Sequence, residues 1–107
     1  MLRGVEYSDE EYVVPLVASM DEARLALQLG PAGLRAIDAN LVRHVEHRAQ
    51  KVLRVVAAAI SAGAFSMGDE PCFELHVRRL IGLAERGVVV GLGNLRRPGF
   101  SEVCLPG

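Results

Sequence analysis

The chain has 107 residues, 12 Lys plus Arg against 13 Asp plus Glu, 50% hydrophobic and 5% aromatic residues, two cysteines and no tryptophan. This describes one soluble domain over residues 1–107, because a second independent core does not fit the length and the apolar content is too high for a disordered chain. The formal net charge of −1 removes the simplest argument for nucleic-acid binding, which usually rests on a basic excess.

The N-terminal segment is acidic, with Arg3 set against Glu6, Asp9, Glu10, Glu11, Asp21 and Glu22. Acids this close to Met1–Val5 do not suit a secretory signal. The longest uncharged run, Val55 to Gly68, is 14 residues, short of the ~20 that a bilayer crossing needs, so cytoplasmic residence and no membrane partner are expected. Ser8 followed by Glu11 has capping-box spacing, and Asp9 and Glu10 suit a helix N-terminus. Pro15 interrupts that pattern, so a short first helix or turn precedes it and a second helix runs from about Leu16 or Asp21 to Leu29. Gly30-Pro31-Ala32-Gly33 reads as a break.

Leu34 to Ala62 carries helical periodicity, with Leu34, Ile37 and Leu41 leading into Val42, Val45, Ala49, Val52, Val56 and Ile60. Arg43, His47, Lys51 and Arg54 recur on the opposite side as a solvated basic stripe, and a break near Val45 to His47 would bring the span to ordinary helix lengths. After the loop Gly63 to Gly68, Asp69, Glu70 and Pro71 open another helix. Phe73, Val77, Leu80, Ile81 and Ala84 form its core face, and Glu74 and Arg78 stand in the favourable i, i+4 order. Gly87 sits where a left-handed C-terminal cap is wanted.

The period then changes to two: Val88, Val90 and Leu92 alternate with Val89 and Gly91, and Val103 and Leu105 with Glu102 and Cys104. Gly93-Asn94 and Pro98-Gly99 bracket a turn-rich segment, giving a hairpin with Arg96-Arg97 at its tip. The predicted fold is therefore α+β and mainly helical, helices followed by a C-terminal β-hairpin, in the element order of a winged helix. The apolar side of the hairpin must pack on the preceding helix, because an isolated hairpin is marginal.

Residues from about 33 to 106 resemble a bacterial family known as a domain of unknown function, the DUF3658 type. The matching residues run from Ile37-Asp38 and Leu41 through His47-Arg48-Ala49-Gln50-Lys51-Val52, Val55-Val56, Arg79-Leu80-Ile81 and Leu83 to the closing pattern G-x5-GNL-x5-SEV-x-LP, which starts at Gly87. Ala49 stands where that family commonly has tryptophan and Cys104 where it commonly has arginine. The resemblance implies a helical domain ending in a hairpin and a variable segment over residues 1–32, and it implies no reaction.

Constellations that could carry chemistry are incomplete. His44 and His47 could share a metal only with a third ligand such as His76, Asp38 or a cysteine, and the spacing is not that of a zinc protease. Cys72 and Cys104 lie 32 residues apart without CxxC spacing and read as free thiols with no histidine tied to either. Gly87, Gly91 and Gly93 follow a helix, whereas a dinucleotide loop follows a strand, so with Asn94 they read as turn and packing residues. Ser101 lacks a hydrolase elbow, and Glu102 is expected to pair with Arg78 or Arg79 or to tether the hairpin through backbone bonds. No enzyme activity and no cofactor are expected. The expected function is a small protein-interaction module of immunity or antitoxin type, with Asp9, Glu10, Glu11, Asp21 and Glu22 as candidates for binding a protein partner. The alternative is a winged-helix DNA-binding regulator, acting as a homodimer, with Arg78, Arg79, Arg86, Arg96 and Arg97 on phosphates.

Overall fold

The computed structural model describes residues 12–63, 65 and 69–107. In chain order the elements are α1 (Met20–Arg43), β1 (Gln50–Lys51), α2 (Val52–Ala62), α3 (Glu70–Glu85), β2 (Val90–Leu92) and β3 (Glu102–Cys104). The strands form an antiparallel sheet in the order β1-β3-β2. The domain is thus α+β and mainly helical with a C-terminal hairpin, and β1 joins the hairpin on the far side of β3, which is the winged-helix arrangement.

Ser19 caps α1, its hydroxyl accepting from the Glu22 amide at 3.1 Å. The expected break at Gly30–Gly33 is present as a sharp kink that divides α1 into two helical runs. Gly30 has φ 67° and ψ −179°, a conformation essentially reserved for glycine, and Pro31 then opens a second helical run that needs no amide donor at its first position. Ser8, Glu11 and their capping box lie outside the described residues.

The helical span read over Leu34 to Ala62 is interrupted around Val45 to His47, as expected, but the interruption also holds a short strand that the periodicity did not predict. The α1 helix stops at Arg43, Val45 turns into the core, and Gln50–Lys51 pairs with β3 in the register Gln50 to Val103 and Lys51 to Glu102. The first amides of α2 are taken by the hairpin loop, Val52 N–H donating to Ser101 O and Leu53 N–H to Pro98 O, both at 3.0 Å. Arg43, His47, Lys51 and Arg54 consequently do not share one helical face.

The α3 helix begins where its Asp69-Glu70-Pro71 signature places it, with the Asp69 carboxylate accepting from the Cys72 amide. It is more deeply enclosed than one apolar face requires: besides Phe73, Val77 and Leu80, the side chains of Cys72, Glu74, Leu75, His76 and Leu83 are buried. At its end Val88 N–H donates to Leu83 O and Gly87 N–H to Ala84 O, with Gly87 at φ 79°, the geometry of a Schellman cap.

In the hairpin Val90 opposes Cys104, Gly91 opposes Val103 and Leu92 opposes Glu102. The inward side is Val89, Gly91 and Val103, while Val88, Val90 and Leu92 face out, the reverse of what their bulk suggests. The reason lies in the loop: Leu95 folds back under the sheet, and its side chain stands 2.9 Å from where a Cβ on Gly91 would be. The expected tip at Arg96-Arg97 is likewise folded back, with Leu95, Pro98 and Gly99 buried and the Asn94 side chain accepting from the Arg96 amide at 3.1 Å.

Candidate functional site

The arginines assigned to a nucleic-acid surface do not share one free face. Arg78 is bound bidentately to Glu22, with Nε 2.6 Å from Oε2 and Nη2 3.0 Å from Oε1, and its Nη1 donates to the Leu16 carbonyl at 3.1 Å. Arg79 holds Asp38 through bonds of 2.9 and 2.7 Å. These hydrogen bonds raise both guanidinium groups further above their ordinary range. Adjacent arginines on α3 therefore clamp α1 on either side of the Gly30 kink, Arg78 before it and Arg79 after it.

Arg96 Nε donates to Val14 O at 2.9 Å while Val14 N–H returns a bond to Arg96 O, so this side chain pins the N-terminal segment to the hairpin loop. Arg97 lies over the Phe100 ring at 4.4 Å. Arg86 is exposed.

The acids divide in the same way. Glu22 is 1% exposed, contrary to its reading as a partner-binding group, because the first turn of α1 faces Arg78. Asp21, its neighbour, is exposed beside Arg24. Asp9, Glu10 and Glu11 lie outside the described residues. Glu102 reaches neither Arg78 nor Arg79, which are held by Glu22 and Asp38; it stands on the outer sheet face opposite Lys51 and Leu92, and its backbone belongs to the ladder. The Glu74 side chain accepts from the Tyr12 hydroxyl, since Arg78 turns to Glu22 instead. Burial pushes its carboxyl up, opposed by the Tyr12 bond and reinforced by Glu70 and Glu22.

One pair that sequence spacing did not single out is Cys72 and His76, four residues apart on α3 and so on one face. His76 Nδ1 is 2.8 Å from the Cys72 carbonyl and 3.6 Å from Sγ. Burial lowers the His76 pKa, and burial with nearby Asp69 pushes the Cys72 thiol up to about 11. A nucleophilic thiolate needs the reverse on both groups, so this is a neutral core pair. His44 turns its Nδ1 to the Asn40 carbonyl at 2.8 Å, Asp38 is held by Arg79, and among the described residues no three His, Cys, Asp or Glu side chains converge on a metal-sized site.

What the molecule does present is apolar surface. Leu16, Val17, Met20 and Leu27 are 72%, 77%, 74% and 83% exposed. Met20, Ala23 and Leu27 line one outward stripe of α1, with the Asp21–Arg24 pair on its flank. No described helix is long and apolar enough to cross a membrane. A second feature is a cleft of about 350 Å³ between α3 and the hairpin, lined by Ile81, Ala84 and Glu85 on one side and by Gly91, Gly93, Asn94, Leu95 and Arg96 on the other.

No family model matches the chain, and no curated protein or solved structure is significantly similar to it.

Proposed function

We propose that this chain is a small, non-catalytic protein-interaction module of the cytoplasm, of the kind that serves as an immunity protein or antitoxin, and that it docks a partner protein through the outer stripe of α1. The observation that carries this reading is the exposure of Leu16, Val17, Met20 and Leu27 within twelve residues. Large side chains so exposed and so close together mark interaction sites rather than ordinary surface. The exposed Asp21 and Arg24 beside them suit the polar rim of such a patch. Among the described residues, Glu22 and Arg78, and Asp38 and Arg79, are engaged with each other inside the fold.

The test is a photoreactive residue placed at Leu27 in cells, with a control at exposed Ala62. A discrete protein adduct formed from position 27 and absent from position 62 supports the reading; an adduct of twice the chain's mass identifies the occupant as a second copy. Absence of any adduct from a folded Leu27 variant overturns it.

The second reading, a DNA-binding regulator of winged-helix type, is favoured by the element and strand order. It is tested by a mobility shift at low salt on mixed genomic fragments, where binding must weaken steeply with salt and on replacing Arg97 with alanine.

A further inference from the structure

The α1 stripe is one surface; the cleft between α3 and the hairpin is another, and its chemistry differs. Its hairpin wall is Gly91 of β2 together with the loop residues Gly93 to Arg96, and β2 stands at the sheet edge because the order is β1-β3-β2. An edge strand offers unpaired backbone donors and acceptors, and proteins ordinarily blunt such an edge by keeping it short or with charge, proline or a covering element; β2, at three residues, is short. Here the strand is Val90-Gly91-Leu92, without charge or proline, and no described strand pairs with its outer edge. Gly91 and Gly93 also line the cleft, so part of the hairpin wall is bare main chain. The opposite wall is supplied by Ile81 and Ala84 of α3.

We propose that this cleft binds an extended segment of another protein, which adds to the sheet as a strand beside β2. This rests on the reading of the chain as a protein-binding module and names a separate surface of it. The occupant is a strand because the wall it must satisfy is backbone, and a strand edge is satisfied by another strand's amides and carbonyls. Alternate side chains of such a segment point to opposite faces, so one set enters the cleft against Ile81 and Ala84 and the other lies over Val90 and Leu92, which are 39% and 43% exposed. Charge sets its polarity. Arg96 stands in the cleft lining with only its Nε engaged, on Val14, so its terminal amino groups are available to a carboxylate, and Glu85 supplies negative charge from α3. The segment is therefore apolar at alternate positions, with Asp or Glu placed to meet Arg96.

The experiment is selection of nine-residue peptides from a random displayed library on the full chain, followed by NMR titration of the enriched peptides. The expected result is an alternating apolar consensus with an acidic residue at one end, with amide shifts confined to residues 81–85 and 89–97. N-methylation of alternate peptide amides should weaken binding at least tenfold while leaving every side chain in place. Leu92→Lys should weaken it severalfold, and replacing the peptide's acidic residue by lysine should do the same at low salt. The proposal is overturned if no peptide is enriched, if the shifts map to α1 or elsewhere, or if N-methylation has no effect. Binding that maps to α1 would sink this cleft while supporting the module, whereas failure of the Leu27 adduct would sink the α1 reading and leave the cleft test standing.

Discussion

Glu22 and Asp21 are neighbours of similar chemistry, and replacing each by alanine should have very different consequences. Glu22 is 2% exposed at its side chain and fills the fork of Arg78, itself 26% exposed, with bonds of 2.6 and 3.0 Å. Removing the carboxylate leaves a guanidinium three-quarters enclosed with only the Leu16 carbonyl to receive its hydrogens. Breaking one side of a buried pair costs roughly 3–5 kcal/mol, and the partial exposure of Arg78 places Glu22→Ala at the lower end, about 3 kcal/mol. For a domain of this size that is a loss of roughly 12 °C in Tm. Asp21 and Arg24 are 72% and 63% exposed, so Asp21→Ala should cost no more than about 1 kcal/mol, from a surface pair and a helix-dipole contribution. Urea unfolding followed by far-ultraviolet circular dichroism measures both. The double variant Glu22→Leu with Arg78→Leu should recover much of the loss, because a buried pair replaced by apolar groups of similar volume is close to neutral. Equal effects of Glu22→Ala and Asp21→Ala, or a double variant as unstable as the sum of its single variants, would refute the clamp as a determinant of stability.

Other outcomes follow from the same structure. Gly30→Ala should destabilise by about 1–3 kcal/mol in the same assay, although alanine is the better helix former, because φ 67° with ψ −179° excludes a side chain while no neighbouring atom does. His76 is buried and its pKa is lowered from 6.5, so the unfolded chain binds the proton more readily; stability should be present above about pH 6.5 and fall as pH drops through the lower folded value. In His76→Leu that segment of the pH–stability curve should flatten. Glu74 has the opposite sign, since its pKa is raised: the folded state holds the proton longer, and stability should decline as pH rises above 4.5, a decline absent in Glu74→Gln. The Cys72 thiol, raised to about 11 and buried, should resist alkylation at pH 8 in the folded protein while partly exposed Cys104 reacts, so mass spectrometry should find one modification natively and two in urea.

Local rules were enough for several elements. Asp69, Glu70 and Pro71 announce the start of α3, Gly87 its end, and the change from helical to alternating period at Val88 announces the hairpin, because caps, proline, glycine and periodicity act within a few residues of themselves. The structural roles of Gly93 and Asn94 follow similarly, Gly93 adopting φ 89° and Asn94 closing the turn with its own side chain. What spacing could not show was set by residues far apart in the chain. The strand Gln50–Lys51 has no periodicity of its own and exists because β3, some fifty residues later, pairs with it. The outward turn of Val90 and Leu92 depends on Leu95 filling the place beneath Gly91. Arg78 and Arg79 read as free surface charge until the kink at Gly30 allows Glu22 and Asp38 to meet them across 56 and 41 residues. Charge and apolarity are thus properties of the sequence, whereas whether a charge is spent or a hydrophobe exposed is decided only when the tertiary packing chooses its neighbours.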